Sequence, residues 1–249
     1  MTALNISLHT KTAIVTGAAT GIGRAIALLL AQAGASVIVN HLNRAREAEQ
    51  VVQTITALGG HAIAVEADVT NAHQVQQMVA SCDRVDILVN NAGVIAEKSF
   101  LEITEAEWDH VLNSDLKSVF LCSQAVLVGM TKRGAGIIVN ISSDLGYLGR
   151  EHYASYCSAK AGVIGLTRSL AREFAPHIRV NAVAPGPVNT AMLSTASMSA
   201  EWIEKEKNIP YARFAEPEEI AATVLFLVSD YARFYCGQVL GPNGGSVMP

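Results

Sequence analysis

The sequence predicts an α/β fold: a doubly wound, seven-stranded parallel sheet with helices on both faces. Two observations point to it. Short β-branched runs alternate with longer amphipathic stretches from end to end, the pattern of repeated strand–helix–strand units. The strand segments are apolar almost throughout, as expected of parallel strands buried on both faces. In order, strands are expected at 12–15, 36–40, 62–66, 87–89, 137–141, 180–183 and 238–240. Helical spacing occupies 21–33, 44–58, 71–82, 104–131, 154–175 and 216–228, with Asn71 and Thr104 placed as N-caps. A shorter helix fits 200–207, inside the long irregular stretch 185–215. So long a loop in a compact domain is usually functional, and 187–215 reads as a lid over a substrate. No linker or composition shift divides the 249 residues, so a single domain over 1–249 is expected.

Composition narrows the function classes. Half of the residues are hydrophobic and 16% are charged, with a net charge of -4. That balance offers no basic surface for nucleic acid or an anionic membrane. Cys82, Cys122, Cys157 and Cys236 are scattered without CxxC spacing, so packed, reduced thiols are expected and no metal site. The first residues lack a basic region followed by an apolar one. Glycine and charged residues interrupt each hydrophobic stretch before it reaches a membrane span. A cytoplasmic protein is the expectation.

Directly after the first strand comes Thr16-Gly17-Ala18-Ala19-Thr20-Gly21-Ile22-Gly23, leading into a helix. Glycines at this junction permit a tight turn and let the backbone approach a pyrophosphate at the helix N-terminus, where free N–H groups favour anions. This is the dinucleotide-binding arrangement of a Rossmann fold. An acid at the end of the second strand would bind the ribose 2′-OH of NAD. The chain reads Val39-Asn40-His41-Leu42-Asn43-Arg44 there, with no carboxylate before Glu47. NADP(H) is therefore preferred, with His41 beside the ribose and Arg44 able to pair with a 2′-phosphate; NAD(H) is the alternative. Asp68, followed by Val69 at the end of the third strand, could reach the adenine edge or could cap the next helix.

Tyr156 and Lys160 lie four residues apart in Tyr-Cys-Ser-Ala-Lys, so both side chains leave one face of a helix. An ammonium beside a phenol favours phenolate and lowers its pKa. Such a tyrosine can exchange a proton with a substrate oxygen near neutral pH.

Together these segments resemble the short-chain dehydrogenase/reductase family in its compact form, over the whole chain. The resemblance rests on the glycine turn at 16–23, Asn90-Asn91-Ala92-Gly93, Asn113, Ile141-Ser142-Ser143, Tyr156 with Lys160, and Pro185-Gly186 followed by Thr190. It implies that Tyr156 is the general acid or base, that Lys160 tunes it and bonds the nicotinamide ribose, and that Ser143 bonds the substrate oxygen. Ser143 lies thirteen residues before the tyrosine, as the family's serine does; Ser142 would then pack. Asn113 would hold a water relaying protons from Lys160. Asn90, Ala92 and Gly93 would line the adenosine half. Pro185, Gly186, Val188 and Thr190 would frame the nicotinamide.

The reaction so implied is hydride transfer between a nicotinamide and a ketone or secondary alcohol. Within the family the chain is most similar to 3-oxoacyl-carrier-protein reductases and small carbonyl reductases. An acyl-carrier protein is thus a candidate partner, met by Lys132 and Arg133, although Pro176-His177 stands where a second basic residue is expected. Leu145, Arg150, His152 and Tyr153 are the candidate substrate contacts, with Arg150 or His152 meeting a polar or anionic group. The competing readings are an NAD(H)-dependent alcohol, polyol or sugar dehydrogenase and a non-catalytic NADP-sensing protein. The resemblance also implies a homotetramer, built through the helices at 104–131 and 154–175.

Overall fold

Short runs of valine, isoleucine and leucine form the strands β1 (Thr12–Val15), β2 (Ser36–His41), β3 (His61–Glu66), β4 (Ile87–Asn90), β5 (Gly136–Ile141), β6 (Ile178–Val183) and β7 (Val239–Leu240). The computed structural model describes residues 6–193 and 199–249. All strand pairs are parallel, in the order β3-β2-β1-β4-β5-β6-β7. The winding direction reverses between β1 and β4, and in such sheets the ligand crevice opens beyond the strand ends at that switch point.

Helices cover both faces: α1 (Gly21–Gln32), α2 (Ala45–Ala57), α3 (Ala72–Ala80), α4 (Glu105–Leu112), α5 (Ser118–Arg133), α6 (Leu145–Leu148), α7 (Ala154–Phe174), α8 (Ala200–Lys207) and α9 (Pro217–Val228). Period-two alternation along the strands divides the core. Val15, Val37, Val39 and Val89 pack with Ile26 and Leu30 of α1, Ile55 of α2 and Val224 of α9. Ile14, Ile38, Leu88 and Ile138 pack with Met78 of α3, Met130 of α5 and Ala171 of α7. Each fully buried aliphatic side chain contributes roughly 1.5–3 kcal/mol.

The expected caps form. Asn71 Oδ1 accepts from the N–H groups of His73 and Gln74, and Thr104 and Glu107 make a reciprocal capping box.

One expectation needs correction. The helix expected over 104–131 is divided: α4 ends at Leu112, a π-helical turn spans Asn113–Lys117, and α5 follows. This helical stretch, Glu105–Arg133, contains an 18-residue window of mean hydropathy 1.2, although Lys117 and Lys132 leave only 118–131 free of charge. Its apolar residues Val119, Cys122, Val126 and Met130 are buried in the protein core. Part of the expected lid, 194–198, lies outside the described residues.

Candidate active site

A cavity of about 530 Å³ opens at the switch point, reached by the ends of β1 through β6. Its floor on the β1 side is the glycine turn. Gly17 and Gly21 have φ of +61° and +53°, the left-handed region that glycine adopts without cost. A Cβ on Gly23 would stand 2.3 Å from the Gly17 carbonyl oxygen, so that glycine lets α1 close against the turn without facing the cavity. Three side chains, two of them outside the glycine motif, hold this shape. Asn40 Oδ1 accepts from Gly17 N–H at 3.2 Å. Thr16 Oγ1 accepts from the N–H groups of Asn91 and Ala92, and Asn91 Nδ2 donates to the carbonyls of Thr16 and Gly17. The turn, the α1 N-terminus and the absence of acid in the first helical turn suit a pyrophosphate.

Thr20, Gly21, Ile22, His41, Arg44, Asp68, Val69, Ala92, Gly93, Pro185, Gly186, Val188 and Thr190 all line the cavity, as expected. Asn90 does not. It is the last residue of β4, and its buried Nδ2 donates to Ser123 Oγ and Asn140 Oδ1, away from the opening. Strand alternation turns its side chain to the opposite face from the cavity; Asn91 takes its place. Asp68 is not the helix cap, which is Asn71; its Oδ1 accepts from the N–H and hydroxyl of Thr70. The end of β2 gives the cavity Asn40, His41, Leu42 and Arg44, and no carboxylate. Among the described residues, Arg44 pairs only with Glu47, at 3.1 Å on the surface.

The reactive groups converge at the β5 end. Lys160 Nζ lies 5.5 Å from the centre of the Tyr156 ring and donates to the Ile141 carbonyl at 3.2 Å. Ser143 Oγ donates to Asp144 Oδ1 at 3.1 Å. Ser142 Oγ donates to the Lys160 carbonyl at 2.8 Å, tying β5 to α7. Asn113 is not brought to the cavity. The residue facing Lys160 is Asp115, whose Oδ2 lies 3.1 Å from Nζ while Oδ1 accepts from Val94 N–H at 2.8 Å. The π turn sets this phase, because a wider turn rotates the residues within it relative to an α-helix.

Burial pushes the Tyr156 phenol up from its ordinary value; Lys160 is the largest opposing influence, and Asp115 adds to the upward push. The net direction is thus opposite to that expected from the Tyr–Lys pair alone. Burial pulls Lys160 down, but Asp115 and Tyr156 together hold it above its ordinary value.

Toward the expected lid, Leu145, Arg150 and Tyr153 line the cavity and His152 does not. His152 is exposed with φ +67°, and its carbonyl accepts from Lys98 N–H. Arg150 is not a free anion receptor. Its guanidinium pairs with Glu206 of α8 at 2.6 Å and sits over the rings of Tyr153 and Trp202, 5.5 and 5.4 Å from their centres. Tyr153 Oη donates to Glu97 Oε2, and burial with that carboxylate pushes its phenol up to about 12.

Residues 17–246 match the family described as enoyl-(acyl carrier protein) reductase. A 3-oxoacyl-[acyl-carrier-protein] reductase of Staphylococcus aureus is 44% identical over 245 residues, 96% of this chain and 99% of that protein. The chain belongs to the short-chain dehydrogenase/reductase family. A reductase of the same name from Synechocystis is 44% identical over 248 residues, covering 97% of this chain and 99% of that one. Among solved structures, a 7α-hydroxysteroid dehydrogenase complexed with NADH and 7-oxo glycochenodeoxycholic acid superposes with a TM-score of 0.93 at 36% identity, covering 100% and 99% of the two chains. One from Beutenbergia cavernae, described as an NAD(P)-dependent gluconate 5-dehydrogenase with NADP bound at low occupancy, gives 0.92 at 38% identity, covering 96% and 98%. As a short-chain dehydrogenase/reductase, the protein is an NAD(P)-dependent oxidoreductase of carbonyl and alcohol groups.

Proposed function

We propose that the protein is an NADP(H)-dependent carbonyl reductase of the 3-oxoacyl type, with one domain over 1–249 carrying both cofactor and substrate. The carrying observation is the convergence of Ser143, Tyr156 and Lys160 on the cavity that the glycine turn also lines. When bound, the nicotinamide supplies the hydride. Tyr156 Oη gives its proton to the carbonyl oxygen while Ser143 Oγ donates a hydrogen bond to that oxygen and fixes its position. Lys160 holds positive charge beside the phenol, favouring the phenolate that proton transfer leaves. Gly17, Gly21 and the α1 N-terminus hold the pyrophosphate, Asp68 and Val69 the adenine side, and Pro185 through Thr190 the nicotinamide. Pro187, Thr190, Met192, Leu193 and Glu206 line the same cavity from the expected lid.

The NADP(H) preference rests on the carboxylate-free end of β2 and on Arg44. A surface pair such as Arg44–Glu47 is worth about 0–1 kcal/mol, so a 2′-phosphate can take the guanidinium at little cost. Steady-state kinetics with NADPH and NADH check this preference. A second reading, oxidation of a polyol or sugar acid, is favoured by the polar Arg150–Glu206 pair in the substrate half. An acyl-carrier protein as substrate donor has less support, because Arg133 donates to the Val85 carbonyl. Turnover of acetoacetyl thioesters compared with gluconate-type substrates separates the two readings. Homotetramer assembly is supported by Phe100, Leu101, Phe120 and Val128, exposed on and before α5; light scattering tests it. Work in the cytoplasm is supported by the free thiols of Cys82, Cys122, Cys157 and Cys236.

Tyr156→Phe removes the transferable proton and leaves the rest of the cavity intact. It should lower kcat roughly a thousandfold with NADPH binding by fluorescence nearly unchanged. An active Tyr156→Phe enzyme would sink the reading.

A further inference from the structure

The Asp115 carboxylate stands in the reactive cluster without a part in the proton transfer described above. It is 1% exposed. Oδ1 is satisfied by Val94 N–H, whereas Oδ2 is fully buried, has no donor aligned with it among the described residues, and faces Lys160 Nζ at 3.1 Å. The surroundings are shaped to admit it. A Cβ on Gly93 would stand 2.6 Å from Oδ2, and the π turn Asn113–Lys117 carries the residue to this position. The titratable and charged groups facing one another are Tyr156 and Lys160 on α7, Asp115 from the π turn, and Asp144 beyond β5. Asp144 accepts from Ser143 and Ser246 and has Arg150 nearby, which is itself paired with Glu206.

We propose that Asp115 is a positioning residue that fixes Lys160 and sets the pH range over which Tyr156 exchanges its proton. The inference rests on Tyr156 being the acid–base group. Its physical basis does not depend on how the charge is divided within the cluster. Tyr156 and Lys160 titrate as a coupled pair, so the pair has macroscopic steps. A carboxylate close to both favours the proton on each. Whichever group yields first, a neutral side chain at 115 makes that first loss easier. Asp115 therefore extends to higher pH the range in which the phenol is available as a proton donor for carbonyl reduction.

The test is the pH profile of kcat/KM for carbonyl reduction with NADPH, in the wild type and in Asp115→Asn. The alkaline limb should move to lower pH by about one unit or more, roughly a tenfold loss of kcat/KM at a fixed pH above it. Ultraviolet difference titration of tyrosinate on the NADPH-bound protein, with Tyr156→Phe on each background as blank, should show the first step of the pair moving the same way without requiring turnover. Asp115→Ser removes the same charge with a smaller side chain and should shift both readouts alike, which keeps the test decisive if Asp115→Asn folds poorly. Asp115→Glu, keeping the charge, should restore the wild-type limb. A limb and a titration unmoved in the neutral variants, with NADPH binding intact, overturn the proposal. That outcome alongside an inactive Tyr156→Phe leaves the carbonyl-reductase reading standing, whereas an active Tyr156→Phe removes that reading first.

Discussion

Asp115–Lys160 and Arg150–Glu206 are both buried ion pairs lining the same cavity, yet different kinds of structure hold them. In the first, side-chain exposure is 1% and 6%, and the partners come from the π turn and α7. Lysine is a compact, strongly hydrated point charge, so it stays there only with a fixed carboxylate and the Ile141 carbonyl against it. In the second, exposure is 16% and 9%, and one partner rides on α8. Arginine is more weakly hydrated and stacks on rings, and Arg150 sits over Tyr153 and Trp202. Its positive charge thus has aromatic support besides the carboxylate. One pair joins the π turn to α7 deep in the reactive cluster; the other ties α8 to the far side of the cavity. The lesson is that burial alone does not assign a role to an ion pair, because the elements supplying the partners decide what it holds together.

Breaking the first pair should have the larger effect. Lys160→Met leaves Asp115 buried without its counter-charge and should cost roughly 3–5 kcal/mol in chemical denaturation. It should also lower kcat by about two orders of magnitude or more, and the double variant with Asp115→Asn should recover much of the stability but not the rate. Breaking the second pair should move binding. Glu206→Gln should raise KM for the carbonyl substrate about tenfold with kcat within about threefold, the pattern of lost uniform binding. An equal fall in kcat and kcat/KM would instead place Glu206 in the transition state. The smallest effect should come from exposed pairs. Lys98 and Thr104 hold Glu107 at about 2, and Arg213 and the Glu216 N–H hold Glu219 at about 2. These folded values lie below the ordinary 4.5, so the stability they add is complete above about pH 4.5. It should disappear gradually as pH falls toward 2, visible as a shallow acid slope in thermal unfolding that salt flattens.

Local features were legible in the chain where a backbone requirement dictates residue type. Gly17 and Gly21 answer to positive φ, Asn71 and Thr104 to open helix N–H groups, and Tyr156 with Lys160 to one helical face. Groups brought together by distant elements were not legible. Asn40 supports the glycine turn from the next strand, and Glu206 meets Arg150 across fifty-six positions of sequence. Asn113 and Asp115 differ by two positions, and choosing between them requires the phase of a π turn, which hydrophobic spacing does not encode. The direction of the Tyr156 shift was hidden because burial, its largest cause, is supplied by elements distant in the chain, with Asp115 adding to it.

The Ser142 hydrogen bond to the Lys160 carbonyl has a consequence for how this enzyme can change. It ties β5 and the start of α7 into one block that carries Ser143, Tyr156 and Lys160. Among the described residues, those of α8 share no such tie to that block; Arg150 with Glu206 and Lys205 with Glu151 join α8 to the preceding loop through side chains alone. Substrate preference and proton chemistry are thereby separable modules. Replacing the 199–215 segment should exchange one carbonyl for another without retuning the phenol that serves it.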